Sequence, residues 1–197
     1  MHENIITEAS DFFRAACKGE WKESDERTVR LPEINPDVFK VYLTFLYTGE
    51  VDADVDYEEA DAPTLLIKCF ALGEMVQDVR FKNSVIDKYL YTTESDGEIA
   101  SSGTIQLLCE AVHSESTMMR LCVDYATFYT NKASFDVAVK ELPSQFVASI
   151  AMAAVRGLGQ CVDEEKKPRN RRGCYYHEHP DGKGKTKACL DPSSSKE

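Results

Sequence analysis

Apolar residues recur at helical spacing through most of this chain, and capping or helix-breaking residues separate the runs. Asn35 and Pro36 open the clearest run, because Asn accepts hydrogen bonds from free backbone N–H groups and Pro loses no hydrogen bond at the first turn. An apolar and aromatic stripe continues from Phe39 to Tyr47, which we expect to face the core. Gly49 then provides a residue that tolerates the left-handed conformation. This pattern predicts one amphipathic helix with defined ends.

Further runs of the same kind predict a mainly α fold. They begin after Ser10, Asp61 and Asp78, and others follow in the second half of the chain. Alternation of apolar and polar residues predicts one short strand over residues 27–31 and a loop or short edge strand over residues 51–57. The expected class is therefore a helical cluster with a minimal sheet, an α+β remnant within an otherwise α-helical protein.

Acidic residues dominate the helical part of the chain. Residues 1–162 contain 14 basic and 27 acidic side chains, whereas residues 163–197 contain nine and seven, within a formal net charge of −11. A surface of that sign repels phosphate backbones and anionic membranes. The charge argues against nucleic acid as a partner, and no apolar run is long enough to span a membrane.

The cysteine content indicates a reducing compartment. There are seven cysteines, an odd number, and several fall at apolar helical positions, where a free thiol behaves as a small hydrophobe. No secretory signal pattern opens the sequence. We therefore expect an intracellular protein without disulfides, in the cytoplasm or the nucleus.

Several local motifs, in order and at suitable spacing, resemble those of BTB/POZ domains. They are Ser10-Asp11-Phe12-Phe13-Arg14-Ala15-Ala16, the fungal-type continuation Cys17-Lys18-Gly19-Glu20-Trp21, the strand end Leu31-Pro32, and the helix end Tyr47-Thr48-Gly49. The family normally begins with a β-hairpin before the first of these motifs, whereas here the motif lies close to Met1. The resemblance therefore implies a sheet that lacks its first strands.

The resemblance also implies a function class and a domain organisation. BTB/POZ domains bind proteins: they form homo- or hetero-oligomers, recruit cullin-type ubiquitin-ligase scaffolds, or join transcription complexes. We expect residues 1–95 to form the BTB/POZ-like domain, residues 102–158 to form a helical extension, and residues 159–197 to be a charged, disordered tail. The leading hypothesis is an adaptor or oligomerisation module whose partners are other proteins, including itself or another BTB protein.

Three residues are candidates for contact with a partner. Lys40 and Thr44 fall on the side of their helix opposite the apolar stripe. Trp21 lies in a polar stretch, where an aromatic residue either anchors an interface or covers the edge of the core. Both interpretations of Trp21 stay open.

No arrangement of residues predicts an enzyme. The chain has four histidines, and none stands in a recognisable nucleophile motif or beside a glycine-rich phosphate loop. We expect no catalytic residue and no organic cofactor.

The tail contains residue types that bind zinc. Cys174, His177, His179 and Cys189 supply two thiols and two imidazoles, which suit a tetrahedral zinc ion. One residue separates the two histidines, which is not a standard finger spacing, so an unliganded tail is the competing interpretation. The alternative hypothesis for the whole chain is a zinc-binding regulatory protein that acts through this tail.

The tail also contains a dense basic run at residues 166–172. Such a run serves as a nuclear-import address, as a contact to an acidic partner, or only as a solvated linker. The sequence leaves the three interpretations open.

Overall fold

The computed structural model describes residues 2–18, 28–52, 61–96, 100–129, 139–157, 167–168 and 174–179. Within these ranges the protein contains eight α-helices and no β-strand, which confirms the predicted mainly α class. The helices are α1 (Glu3–Ala9), α2 (Asp11–Lys18), α3 (Pro36–Thr48), α4 (Ala62–Val76), α5 (Val79–Asp96), α6 (Ser102–Ala111), α7 (Thr117–Tyr129) and α8 (Ser144–Gly157).

Both ends of α3 and the start of α4 are set by the residues that the sequence indicated, whereas α4 continues past Gly73 to Val76 and ends at Gln77, which has φ of 57°. The Asn35 side chain accepts a hydrogen bond from the Asp37 N–H at 2.7 Å, and Gly49 ends α3 with φ of 76°. Asp61 opens α4 in the same way, because its carboxylate accepts from the Thr64 N–H at 2.8 Å. These local caps satisfy backbone groups that a helix leaves without partners at its ends.

Ser10 separates α1 from α2 and links both to a distant helix. Its hydroxyl oxygen accepts a hydrogen bond from the Phe13 N–H at 3.1 Å, so Ser10 caps α2. The same hydroxyl donates to the carbonyl oxygen of Val76 at the end of α4. Ser10 is completely buried, so both of its hydrogen bonds replace bonds that water would otherwise make.

The short strand predicted over residues 27–31 is not formed in the part of it that the structure describes. Val29 and Leu31 are half-buried and Arg30 is exposed, so the side chains alternate as the sequence indicated, but residues 28–31 have no regular secondary structure. A strand is defined by hydrogen bonds to a neighbouring strand, and none pairs with these residues within the described ranges. Val51 is buried in irregular structure, and residues 53–57 lie outside the described ranges.

The chain divides into two compact units, residues 1–88 and residues 89–197, with the boundary inside α5. The first unit has a core in which the rings of Phe39, Tyr42, Phe45 and Phe81 lie near one another. The ring centroids of Tyr42 and Phe81 are 4.8 Å apart, and those of Phe45 and Phe81 are 5.1 Å apart. These contacts connect α3 to α5, and Leu66 of α4 is also completely buried in this unit.

The second unit has its own buried side chains from α6, α7 and α8. Leu108, Met118, Leu121 and Phe146 are each at most 1% exposed. Helix α8 packs against α7 and, less extensively, against α6. The boundaries that the sequence predicts after residues 95 and 158 stay predictions.

None of the helices in the described part of the chain combines the length and the hydropathy that crossing a bilayer requires.

Candidate interaction surface

Helix α3 is held in the first unit by its inner face. Val38, Val41, Tyr42 and Phe45 are all buried, and Tyr42 has no exposed surface. Their spacing of three and four residues places them on one side of the helix. The orientation of the opposite side is therefore determined by the core.

A buried polar contact fixes the rotation of α3 further. The Tyr42 hydroxyl donates to Oδ2 of Asp78 at 3.1 Å, and Oδ1 of Asp78 accepts from the Phe81 N–H at 2.9 Å. Burial raises the pKa of Asp78 above its usual value, and the hydrogen bonds from Phe81 and Tyr42 oppose that rise only in part. Burial and the neighbouring Asp78 also raise the pKa of Tyr42, so its hydroxyl keeps the proton that it donates. The pair is thus a defined attachment between α3 and the start of α5.

The outer face of α3 carries Lys40, Thr44 and Tyr47. All three are exposed, and Tyr47 has 52% of its surface in solvent. They are four and three residues apart, so they follow one another along a single helix face. Lys40 Nζ lies 2.6 Å from an Asp37 carboxylate oxygen, but the Lys40 side chain remains 72% exposed. We call Lys40, Thr44 and Tyr47 the α3 surface.

Tyr47 is the residue of this surface that the sequence analysis missed. The sequence analysis assigned it to the core as the last residue of the apolar and aromatic stripe, and that assignment is wrong for Tyr47, because the core ends before the last turn of α3. The backbone N–H of His2 donates to the Tyr47 hydroxyl oxygen at 3.2 Å, and the two rings make an edge-on contact with centroids 6.0 Å apart. The exposed ring therefore has a defined position relative to the start of α1.

The other two predicted contact residues of α3 lie where the sequence placed them. Lys40 and Thr44 are both exposed and are one helical turn apart. Trp21 lies outside the described residues, so its two interpretations are not distinguished.

Two buried thiols are unsuited to nucleophilic chemistry. Burial raises the pKa of Cys69 to about 12, and burial is also the main reason that the pKa of Cys122 is raised to about 12. A thiol attacks substrates as the thiolate, so both remain protonated at neutral pH. In addition, the Cys122 sulfur lies 3.6 Å from the Tyr89 hydroxyl oxygen, and a neutral hydroxyl does not act as a base toward a thiol.

The predicted zinc ligands are only partly described. Cys174, His177 and His179 are half-buried, and Cys189 lies outside the described residues. Within the described ranges no three His, Cys, Asp or Glu side chains come together in a way that could hold a metal ion. Nε2 of His179 is buried and has no hydrogen-bond partner among the residues that the structure describes.

The first unit is a cluster of helices from which one face of α3 is exposed. Residues 1–80 match the family model of the BTB/POZ domain, so this part of the chain is a BTB/POZ domain, a protein-interaction module. The predicted family is thereby confirmed over these residues.

Curated relatives share parts of the sequence. An Arabidopsis thaliana protein named "ARM repeat protein interacting with ABF2" is 26% identical over 166 residues, covering 80% of this chain and 20% of the relative. Human Kelch-like protein 21 is 38% identical over 58 residues, 29% of this chain and 10% of the relative. Mouse TD and POZ domain-containing protein 1 is 39% identical over 49 residues, 25% of this chain and 13% of the relative. The chain thus spans a fifth or less of the length of each, and no solved structure matches it.

Proposed function

We propose that the chain is a non-enzymatic adaptor whose BTB/POZ domain binds another protein through the α3 surface. The observation that carries the proposal is the division of α3 into two faces. Tyr42 and Asp78 fix the inner face, while Tyr47 projects from the outer face with half of its surface exposed. Exposed aromatic residues on a rigid element are favourable binding residues, because they lose little side-chain entropy when a partner covers them.

The family supports the proposed class of partner, which is another protein. The partner is a cullin-type ubiquitin-ligase scaffold, a transcription complex, or a second BTB protein, including another copy of this chain. The Kelch-like and TD/POZ relatives support the adaptor class, and the name of the Arabidopsis relative describes a protein that binds another. The site of action is intracellular, in the cytoplasm or the nucleus.

The test measures binding with and without the α3 surface. The full chain is titrated by calorimetry with a purified cullin-type scaffold, and its self-association is measured by analytical ultracentrifugation. We expect Tyr47→Ala to weaken whichever interaction occurs by about tenfold or more, since central aromatic residues carry much of the binding energy. Lys40→Ala is expected to have a smaller effect, because its charge is already neutralised by Asp37 and exposed to water.

The matched control is Tyr91→Ala. Tyr91 is also an exposed tyrosine on a helix, with 67% of its surface in solvent, but it lies outside residues 1–80. Binding by the Tyr91 variant is expected to equal that of the unaltered chain. An equal loss in both variants would reject the α3 surface, and absence of any binding by the unaltered chain would reject the adaptor function for these partners.

A second candidate function is zinc binding by Cys174, His177 and His179 with Cys189. It is supported by the buried Nε2 of His179, which has no hydrogen-bond partner within the described ranges. A buried polar atom without a partner is unfavourable, and a metal ion would satisfy it. In this proposal the metal orders the C-terminal residues when it binds.

Metal content tests the second candidate directly. The full chain is purified without added zinc, and its metal is measured by mass spectrometry before and after zinc titration. We expect about one equivalent, since a four-ligand site holds one ion, and loss of uptake in Cys174→Ser. Uptake that is unchanged in this variant, or no uptake by the unaltered chain, would exclude the proposed ligands.

A further inference from the structure

Residues 174–179 lie against helix α7 in the second unit. Within this segment Tyr176 is the most buried residue, with only 2% of its surface exposed. Its hydroxyl donates a hydrogen bond to Oδ2 of Asp124 in α7 at 2.8 Å. Asp124 is one helical turn from Arg120, so the two side chains extend from the same face of α7. This face therefore offers a carboxylate and a guanidinium side by side.

Arg120 makes three contacts with the same short segment. Its guanidinium donates to the carbonyl oxygen of Tyr175. Its Cζ atom also lies 5.1 Å from the ring centroid of Tyr175 and 5.6 Å from that of Tyr176, within the range of cation–π attraction. The two tyrosine rings meet edge to face, with centroids 4.8 Å apart. Arg120 thus contacts both the backbone and the rings of two consecutive tyrosines.

The segment itself has little structure of its own. Residues 174–179 form a turn and irregular backbone, in which the His177 N–H donates to the Cys174 carbonyl oxygen at 3.2 Å. Because no helix or strand holds the segment, its position depends on side-chain contacts such as those made by Tyr176. Arg120 is exposed, so water competes for its contacts and the attachment is open to exchange.

We propose that the Arg120–Asp124 face of α7 is a docking site for a Tyr-Tyr segment, occupied in cis by residues 174–179 of the same chain. The C-terminal segment is then a strap that attaches and releases, and release uncovers a site that can accept another tyrosine-containing peptide. This proposal is independent of zinc, and its tests are made in metal-free buffer.

Hydrogen exchange of the full chain measures the attachment. We expect the amides of residues 175–177 to be protected in the unaltered chain and to exchange about tenfold faster or more in Arg120→Ala, because local opening controls their exchange. Arg156→Ala is the matched control: it removes an exposed arginine from the last turn of α8, in the same unit. Absence of protection in the unaltered chain, or equal exchange in the two variants, would overturn the proposal.

A peptide tests whether the face is a docking site. A fluorescent peptide of residues 172–181, with serine replacing Cys174, is added to the full-length Tyr176→Ala chain, whose own strap is expected to be released. We expect saturable binding with Kd below about 1 mM, none to the double variant Arg120→Ala/Tyr176→Ala, and none by a peptide that lacks both tyrosines. Failure of the peptide to bind Tyr176→Ala, or equal binding to the double variant, would overturn the docking site.

Sedimentation separates attachment in cis from exchange between copies. We expect the sedimentation coefficient of the full chain to be the same for the unaltered protein and for Arg120→Ala. A dimer that dissociates in Arg120→Ala would instead show that the segment docks on a second copy, and the assignment in cis would be wrong.

Discussion

The Tyr42 hydroxyl donates a hydrogen bond to the Asp78 carboxylate at 3.1 Å across 36 positions of sequence, and both residues are at most 1% exposed. Asp78 also accepts from the Phe81 N–H and so caps α5. One carboxylate therefore begins a helix and attaches that helix to α3. Since α3 carries the proposed binding surface, this pair connects the core of the BTB/POZ domain to that surface.

Removal of the Tyr42 hydroxyl is expected to destabilise the first unit. Tyr42→Phe preserves the ring and its contact with Phe81 but leaves Oδ2 of Asp78 without its donor. A buried acceptor that loses its partner costs about 1–3 kcal/mol. Urea unfolding followed by circular dichroism measures the change. Tyr47→Phe is the control, since its hydroxyl is exposed, and we expect a change within about 0.5 kcal/mol; equal effects in the two variants would contradict the prediction.

The buried Asp78 carboxyl is expected to make stability depend on pH. Because its pKa is raised on folding, the folded state binds the proton more tightly than the unfolded state. The contribution of Asp78 to stability is fully present below its ordinary pKa of 3.8. It is lost as the pH rises through the raised pKa that Asp78 has in the folded state. Asp78→Asn removes this titration while its side-chain oxygen still accepts from Phe81.

The comparison of the two pH profiles is the measurement. The free energy of unfolding of the unaltered chain, relative to that of Asp78→Asn, should decrease as pH rises from 3.8. The nearby positive charge of Arg80 lowers the pKa of Asp78, but this effect is smaller than the rise that burial causes. Parallel profiles would show that Asp78 has the same pKa in the folded and unfolded states.

Gly73 is expected to tolerate no side chain, because α4 and α5 approach closely there. A Cβ atom at this position would lie 2.7 Å from Cγ of Lys82 and 3.3 Å from Cδ1 of Phe81. Overpacking of this kind costs about 1–3 kcal/mol, so Gly73→Ala should unfold at lower urea concentration. At Gly103 of α6 the nearest atom is the Ser101 Oγ at 3.8 Å. Gly103→Ala should therefore be neutral or stabilising by up to about 1 kcal/mol, and a loss of stability equal to that of Gly73→Ala would contradict the packing argument.

The thiols of Cys69 and Cys122 are expected to resist alkylation in the folded protein. Both are buried and have pKa values of about 12, so the thiolate fraction at pH 8 is very small. Iodoacetamide labelling followed by peptide mass spectrometry should modify them only after denaturant is added. Cys17 and Cys109 are half-buried and provide the internal comparison. Labelling of Cys69 or Cys122 at the rate of Cys17 would show that its environment opens in the native state.

The helix ends were predictable because the interactions that set them are local. Asn35 and Asp61 each bond to a backbone N–H two or three positions away, and Gly49 adopts a conformation that glycine favours in any context. The strand at residues 27–31 was predicted from local alternation alone. That alternation persists in the burial of Val29 and Leu31, but a strand also requires a neighbouring chain segment, which local sequence does not reveal.

The α3 surface was predictable only in part. Lys40 and Thr44 were placed by helical periodicity, which assigns residues to faces without knowledge of the rest of the fold. The exposure of Tyr47 depends on where the core ends, and its ring contact with His2 depends on a residue 45 positions away. The burial of Tyr176 is a similar case, since the polar residues around it indicated no packing.

By itself, the sequence determined that the fold is mainly α, where α3 begins and ends, and that the first part of the chain resembles a BTB/POZ domain. Caps, periodicity and family motifs are properties of neighbouring residues, so they can be read without coordinates. Only the tertiary structure decided that Asp78 bonds to Tyr42, and that Tyr176 bonds to Asp124 and lies beside Arg120. These pairings join residues far apart in the chain, and many polar residues of the same types could have formed them; packing of the helices selected the ones that meet.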